Sequence, residues 1–295
     1  MERCITVHVR DLDFNVVDHG GSGEVIVCIH GLTANAHFFD SLASEWVKDY
    51  RVLSYDLRGR GNSSKPAAGY SLKEHAEDLV EILRALKLEN VIVVGHSLGA
   101  MIASYFTAHY SRFVKRLILI DGGANLDERV ISALTPSINR LDHQYESYQT
   151  FLSKMKETDF FKPWHQGLER YFNYDVHHME NGSVQPKVRK VTIEEELKNL
   201  LAAEITMLHE KINVPVLIFF APDCLYDKEA FVISKQQCNE LVSRYKNYEL
   251  IEIPQSNHFS IAIHFAKEVA ASTKTFIEQV CNLHATTGRY NSDNS

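Results

Sequence analysis

The sequence predicts an α/β fold in which a mostly parallel sheet carries helices on both faces. Short apolar runs such as Val25–Ile29 and Val91–Val94 lack polar alternation, which is typical of strands buried on both faces. Segments with helical periodicity lie between these runs, and this alternation indicates an α/β architecture. The chain has 295 residues, of which 45 % are hydrophobic, so it can bury a large core without disulfides.

The individual elements follow from local patterns. The predicted strands are Ile5–Val9, Asp13–Val17, Val25–Ile29, Arg51–Tyr55, Val91–Val94, Arg116–Ile120, Val214–Phe220 and Tyr248–Ile253, and the first two form a hairpin. Ser71 and Glu74 have capping-box spacing, and the apolar residues after them repeat every three or four positions up to Leu86. Further helices are predicted over Leu98–Tyr110, Thr192–Leu208 and Phe265–Val280.

The alternation stops after Gly123 and returns at Val214. Residues 124–206 contain helical stretches but no convincing buried strand. We therefore predict an α/β core made of residues 1–123 and 207–295, interrupted by a helical insertion at 124–206. Within the insertion, Glu194, Glu195 and Glu196 are expected to form a solvated helix face.

Charge and composition exclude several classes of protein. The net charge of −7 argues against binding to a nucleic-acid backbone, which needs clustered Lys and Arg. No run reaches the roughly 18 apolar residues of a membrane span, and the first residues lack a signal-peptide core. The five cysteines show no metal-ligand spacing. We expect a cytoplasmic protein with reduced thiols, no metal, and neither nucleic-acid nor membrane partners.

The strongest chemical signal is Gly95-His96-Ser97-Leu98-Gly99, which matches the pattern G-x-S-x-G. It follows the predicted strand Val91–Val94 and opens the helix Leu98–Tyr110. This strand–turn–helix context is what a nucleophile elbow requires, and the two glycines permit the tight turn. The pattern predicts that Ser97 is a nucleophile.

A serine hydroxyl needs a base that removes its proton, and His258 is the predicted base. It follows the last predicted strand, at the carboxyl edge of the sheet, where catalytic groups collect in open α/β folds. The loop that begins with His30-Gly31 follows the first buried strand and can offer a backbone N–H to an oxyanion. We predict that the amides of Leu32 and Leu98 form the oxyanion hole.

These motifs resemble the α/β-hydrolase superfamily. The matching pieces are His30-Gly31, the stretch from Asp56 to Ser63, Gly95–Gly99 and Asn257-His258, which lie on both sides of the insertion. The resemblance implies an eight-stranded, mostly parallel sheet, a helical cap at residues 124–206 and a Ser–acid–His triad. It does not imply one substrate, because this fold hosts many chemistries.

The resemblance leaves two candidates for the acid of the triad. Family members usually carry it just after the strand that here is Val214–Phe220, where Asp223 stands one residue early. A minority carry it after the strand that follows the elbow helix, and here that position is Asp121. Asp121 is favoured over Asp223, and Asp227 comes third. The acid would fix the tautomer of the histidine and stabilise its charged form.

Together these features predict a serine hydrolase that cleaves a carboxylic ester or lactone through an acyl-enzyme on Ser97, without a cofactor. Trp164, Phe161 and Phe39 are expected to line the substrate pocket, and the aromatic residues of the insertion suit a large apolar lactone such as a macrolide. The alternatives are a C–C bond hydrolase, an acyltransferase, or a weakly catalytic ligand receptor on the same fold. The expected partner is a small-molecule substrate, and the chain is a monomer or homodimer.

Overall fold

One large sheet forms the centre of the computed structural model, which describes residues 2–126, 128–223 and 230–288. The strands are β1 (Arg3–Val9), β2 (Leu12–Gly20), β3 (Val25–Ile29), β4 (Arg51–Tyr55), β5 (Val91–His96), β6 (Val114–Ile120), β7 (Val176–His178), β8 (Val184–Pro186), β9 (Val216–Phe220) and β10 (Tyr248–Glu252). Eight of them form the sheet, in the order β1-β2-β4-β3-β5-β6-β9-β10. β2 is antiparallel to both of its neighbours and the pairs from β4 to β10 are parallel, so the predicted α/β fold with a mostly parallel sheet is confirmed.

The helices lie between the strands in the sequence and after the last strand. They are α1 (Asp40–Trp46), α2 (Leu72–Ala85), α3 (Leu98–His109), α4 (Glu128–Asn139), α5 (Tyr148–Glu157), α6 (Gly167–Tyr174), α7 (Lys190–Leu201), α8 (Ile205–Leu208), α9 (Lys235–Arg244), α10 (Ser260–Ile263) and α11 (Ala266–Gly288). The predicted capping box of α2 is present, because the Ser71 and Glu74 side chains each accept a hydrogen bond from the backbone N–H of the other residue. In the described part of the chain, no helix combines the length and apolar character that crossing a membrane requires.

The parallel strands bring several loops to one edge of the sheet. In the register of the sheet, Ile29 on β3 pairs with Gly95 on β5, and Ile120 on β6 pairs with Phe219 on β9. The residues that directly follow β3, β5 and β6 are His30, Ser97 and Asp121. Their side chains therefore gather at the carboxyl edge, where open α/β sheets bind ligands.

The segment between β6 and β9, which we call the insertion, contains α4 to α8 and also a small antiparallel pair, β7 and β8. The sequence predicted no buried strand here and did not predict this short pair, in which β7 is largely exposed. Each strand has only three residues, which is too short to show a period of two. The turn was readable, because Asn181-Gly182 is a strong hairpin signal and Gly182 has a φ of +84°. The division into a core and an insertion at residues 123/124 and 206/207 stays a prediction.

A buried cluster of charges joins the insertion to the rest of the fold. Glu196 on α7 accepts hydrogen bonds from Arg60 and from His75 Nε2, and both Arg60 and Glu196 are at most 1 % exposed. Burial alone would raise the pKa of Glu196, but the charges of Arg60 and His75 outweigh it and lower the pKa below the usual range. The expectation of a solvated face at Glu196 is therefore wrong, whereas Glu194 is exposed.

Replacing Glu196 with glutamine is expected to lower the free energy of unfolding by about 3–5 kcal/mol, because it leaves the Arg60 charge buried without an opposite charge beside it. Glu194→Gln is the matched control on the same helix, and it should change the free energy by less than about 0.5 kcal/mol. Urea unfolding followed by circular dichroism measures both. Equal destabilisation by the two variants would contradict this account of the cluster.

Candidate active site

Ser97 stands at a sharp turn between β5 and α3. Its backbone has a φ of 58° and a ψ of −121°, a conformation that L-residues rarely adopt and that stores about 1–3 kcal/mol of strain. The turn is possible because two neighbours lack side chains. A Cβ on Gly95 would come within 2.2 Å of Gly99 O, and a Cβ on Gly99 would come within 1.9 Å of Ile29 O. The two glycines of the motif thus let the helix approach the sheet and hold Ser97 at the edge.

The imidazole ring of His258 is held in place by the Asp121 carboxylate. Its Nδ1 donates to Asp121 Oδ2 at 2.6 Å, and both side chains are at most 6 % exposed. Asp121 Oδ1 in turn accepts from the backbone N–H of Ala221 at 3.2 Å. Since Nδ1 holds the proton shared with Asp121, His258 Nε2 is the unprotonated nitrogen of the neutral ring. This is the tautomer that a general base needs.

The two candidate acids lie in different surroundings. Asp121 is buried against His258. Asp223 is exposed, and its backbone N–H bonds to Ser256 O at 3.0 Å. Of these two, Asp121 is therefore the residue that the geometry favours as the partner of His258. Asp227, the third candidate, lies outside the described residues.

The loop after β3 presents a backbone amide to the same edge. His30 Nδ1 donates to Gly31 O at 2.8 Å, and His30 Nε2 accepts from Leu57 N at 3.1 Å. The first of these bonds fixes the peptide plane that also carries the Leu32 N–H, since one planar unit holds both groups. Arg60 fixes the next peptide by donating twice to Leu32 O.

Both amides that the sequence assigned to an oxyanion hole are available as donors. Leu98 is the first residue of α3, so its N–H has no acceptor within the helix. Within residues 2–126, 128–223 and 230–288, neither the Leu32 nor the Leu98 amide donates a hydrogen bond. The two positions flank Ser97, because Leu98 follows it in the chain and Leu32 lines the same cavity.

The burial of His30 predicts a pH dependence of stability. Burial lowers the pKa of His30 to about 4, whereas a histidine in an unfolded chain has a pKa of about 6.5. Between these values the unfolded chain binds a proton that the folded chain does not, so stability is lost as the pH falls from about 6.5 to 4. The loss of unfolding free energy over this whole pH range is about 3 kcal/mol.

We expect His30→Asn to reduce the change in unfolding free energy between pH 7 and 4 by this amount, which urea titrations at each pH would measure. An unchanged pH dependence would contradict it.

Ser97 and His258 line one small cavity of about 30 Å³. Its other lining residues are Gly31, Leu32, Thr33, Ala34, His96, Leu134, Ser137 and Phe259. Leu134 and Ser137 come from α4 of the insertion and roof the cavity. No sequence pattern connects this helix to Ser97, because the contact joins segments that are distant in the chain.

The aromatic residues that the sequence assigned to the pocket lie elsewhere. This cavity's lining does not include Phe39, Phe161 or Trp164. Phe161 packs edge-on against Phe259, with ring centres 4.9 Å apart, so it supports a lining residue from behind. Trp164 stacks on Phe172 inside the insertion, and Phe39 is fully buried next to α1.

One group of possible metal ligands occurs in the described ranges of the chain, formed by Glu2, His19 and Asp40. Arg170 forms ion pairs with both Glu2 and Asp40, so the negative charge that would attract a cation is already compensated. The group does not include Ser97 or His258. We therefore assign it no part in the chemistry at the sheet edge.

A comparison with protein families agrees with this geometry. Residues 24–265 match the family model for the alpha/beta hydrolase fold. The chain belongs to the α/β-hydrolase family. The match includes the elbow, both candidate acids, His258 and the whole insertion.

Several proteins with similar sequences or structures carry the name of a hydrolase. The 2-(acetamidomethylene)succinate hydrolase of Mesorhizobium japonicum is 30 % identical over 142 residues, which are 48 % of this chain and 48 % of that protein. Across several curated relatives, the matched stretch spans only 37–48 % of their length.

A crystal structure of E-2-(acetamidomethylene)succinate hydrolase has a TM-score of 0.84 at 20 % identity, covering 94 % of this chain and all of the other. The enol-lactonase of Burkholderia xenovorans LB400 has a TM-score of 0.72 at 19 % identity, covering 93 % of this chain and all of the other. At these identities the structural likeness concerns the fold.

Proposed function

We propose that this α/β hydrolase is a serine hydrolase that cleaves a carboxylic ester or lactone through an acyl-enzyme on Ser97. The observation that carries the proposal is the 2.6 Å hydrogen bond from His258 Nδ1 to Asp121, at a cavity that His258 shares with Ser97. An anchored histidine beside a serine at an elbow is the arrangement that activates a weak hydroxyl nucleophile.

The reaction follows from the positions of these groups. His258 Nε2 removes the proton of Ser97 Oγ while Oγ attacks the substrate carbonyl carbon. The carbonyl oxygen becomes an oxyanion, which accepts hydrogen bonds from the Leu32 and Leu98 amides. The tetrahedral intermediate collapses, and His258 gives its proton to the leaving alcohol. Water, deprotonated by His258, then attacks the acyl-enzyme and releases the carboxylic acid together with free Ser97.

The size of the cavity bears on the choice of substrate. Sites for drug-sized ligands are typically about 300–1,000 Å³. The cavity beside Ser97 has about 30 Å³, so it gives no support to a macrolide-sized ring while α4 keeps its place. We therefore propose esters and lactones with a small acyl group as the substrates. The relatives described as a hydrolase and as an enol-lactonase are consistent with this class.

The proposal is tested by supplying purified protein with p-nitrophenyl acetate, p-nitrophenyl butyrate and a panel of lactones of increasing ring size. We expect release of p-nitrophenol from the acetate and butyrate, and faster hydrolysis of small lactones than of macrocyclic ones. Product analysis separates this from C–C bond cleavage, since only ester cleavage releases an alcohol. Turnover of no ester and no lactone would overturn the proposal.

A further inference from the structure

His96 lies between Gly95 and Ser97, and among the described residues only one nitrogen of its ring forms a hydrogen bond. Its Nε2 donates to the backbone oxygen of His258 at 2.7 Å. Its Nδ1 is buried and has no hydrogen-bond partner among the described residues. The ring packs against two aromatic neighbours, with centroids 4.3 Å from Phe38 and 4.5 Å from His258. Because Nε2 holds the proton that it donates to a carbonyl, Nδ1 is an acceptor with an unused lone pair.

The surroundings of the His96 ring disfavour its protonated form. Burial and the neighbouring His258 both lower the pKa of His96 well below its ordinary value, so the ring stays neutral at physiological pH. Buried polar atoms in folded proteins almost always have a partner, and an unpaired acceptor is costly. The unused lone pair therefore points to a partner that arrives from outside the chain.

The unused acceptor lies beside the nucleophile. His96 lines the same small cavity as Ser97 and His258. The Nδ1 atom is 3.3 Å from the point where a Cβ on Gly31 would stand, and Ser97 Oγ is 3.6 Å from that same point. Both atoms therefore lie against Gly31, in the wall of the cavity where a substrate brings its carbonyl carbon to Oγ.

We propose that His96 Nδ1 accepts a hydrogen bond from the substrate, and that the site selects acyl groups with an N–H or O–H donor close to the scissile carbonyl. This inference rests on the proposed function, because it names the substrate class of the same site. An acyl group with only CH₂ groups at this point would leave the acceptor buried and unpaired. A site built to pair a donor discriminates against an analogue that lacks it.

The test uses two matched pairs of p-nitrophenyl esters. N-acetylglycine and 4-oxopentanoate esters differ only by N–H in place of CH₂, and 3-hydroxybutyrate and butyrate esters differ by one hydroxyl. For each pair, the readout is the ratio of kcat/KM for the donor ester to that for its partner. Dividing the ratio of the wild type by the ratio of a variant removes the intrinsic reactivity of the esters. We expect the ratio to fall about tenfold in at least one pair when the acceptor is lost.

Two substitutions at His96 separate its two nitrogens. His96→Gln keeps a donor near the position of Nε2 for the His258 carbonyl and removes the acceptor at the position of Nδ1. His96→Asn can keep a carbonyl oxygen at the position of Nδ1 and removes the bond to His258. We expect the ratio to fall in His96→Gln and to be retained in His96→Asn, although the latter should hydrolyse both members of a pair more slowly. Thermal unfolding of each variant checks that it is folded.

The outcomes distinguish this inference from the function on which it rests. A ratio in His96→Gln equal to that of the wild type, in both pairs, would overturn the inference and leave the ester hydrolase intact. An equal loss of the ratio in both variants would also overturn it, because that result indicates packing rather than an acceptor. Hydrolysis of none of the four esters by the wild type would overturn the proposed function and the inference together.

Discussion

Replacing Ser97 with alanine is expected to reduce kcat for p-nitrophenyl butyrate by a factor on the order of 10⁶. Without Oγ no acyl-enzyme can form, and only the oxyanion donors remain to assist attack by water. The fold should persist, because alanine and serine tolerate the positive φ at this position about equally. Initial rates at saturating ester, corrected for spontaneous hydrolysis, measure the effect.

A second serine on the following helix provides the control. Ser104 lies on α3, is fully buried, and donates to Ala100 O at 2.9 Å. Ser104→Ala should lose some stability but keep kcat within a few-fold of the wild type. A Ser97→Ala variant that retains more than about a hundredth of the wild-type rate would contradict the role of Ser97 as nucleophile.

Replacing Asp121 with asparagine is expected to lower kcat by about 10⁴-fold. The asparagine can still accept a hydrogen bond from Ala221 through its carbonyl oxygen, so the loop should keep its shape. Its NH₂ group, however, would face His258 Nδ1 and favour the tautomer in which Nε2 carries the proton. A histidine in that tautomer cannot take the proton of Ser97. Steady-state rates at several pH values measure the loss.

Asp223→Asn is the matched comparison, because Asp223 is the other acid that the sequence left open. Its side chain is exposed, so we expect kcat to stay within about a factor of three of the wild type. The reverse pattern, with a large loss at Asp223 and a small loss at Asp121, would reassign the acid of the triad. Equal, modest losses at both positions would mean that neither carboxylate orients His258.

The sheet and the elbow were predictable because their signals are local. The runs at Val25–Ile29 and Arg51–Tyr55 are strands with the predicted bounds, since short segments without polar alternation are typical of strands buried on both faces of a sheet. The elbow around Ser97 could be predicted as well, because its turn leaves no room for a side chain at Gly95 or Gly99 and so requires glycine at both positions. In both cases the pattern and its cause lie within a few residues.

The choice of acid could not be made from sequence. Asp121 follows β6 and Asp223 lies just beyond β9, and these two strands are neighbours in the sheet. Both carboxylates therefore reach the same edge, and only the side-chain contact with His258 separates them. The sequence favoured Asp121 without being able to exclude Asp223.

Contacts between segments that are distant in the sequence account for the other features that could not be predicted. Glu196 is part of a run of three acidic residues, which is typical of a solvated helix, yet its partners Arg60 and His75 lie more than 100 positions away in the chain. The position of α4 over the cavity could not be predicted for the same reason, because α4 and Ser97 are distant in the sequence and meet only in the folded chain. The unused nitrogen of His96 likewise becomes visible only when the atoms around it are known.

The most direct test of the central claim is to treat the native protein with a fluorophosphonate and to measure the intact mass and the labelled peptide. Ser97 Oγ should displace fluoride and form a single phosphonyl adduct, because His258 makes it a nucleophile. Heat-unfolded protein and Ser97→Ala are the controls, and neither should be labelled at this position. A single adduct on Ser97 in the native protein is the predicted result. A native protein that stays unlabelled, or is labelled at another residue, would contradict the claim that Ser97 is an activated nucleophile.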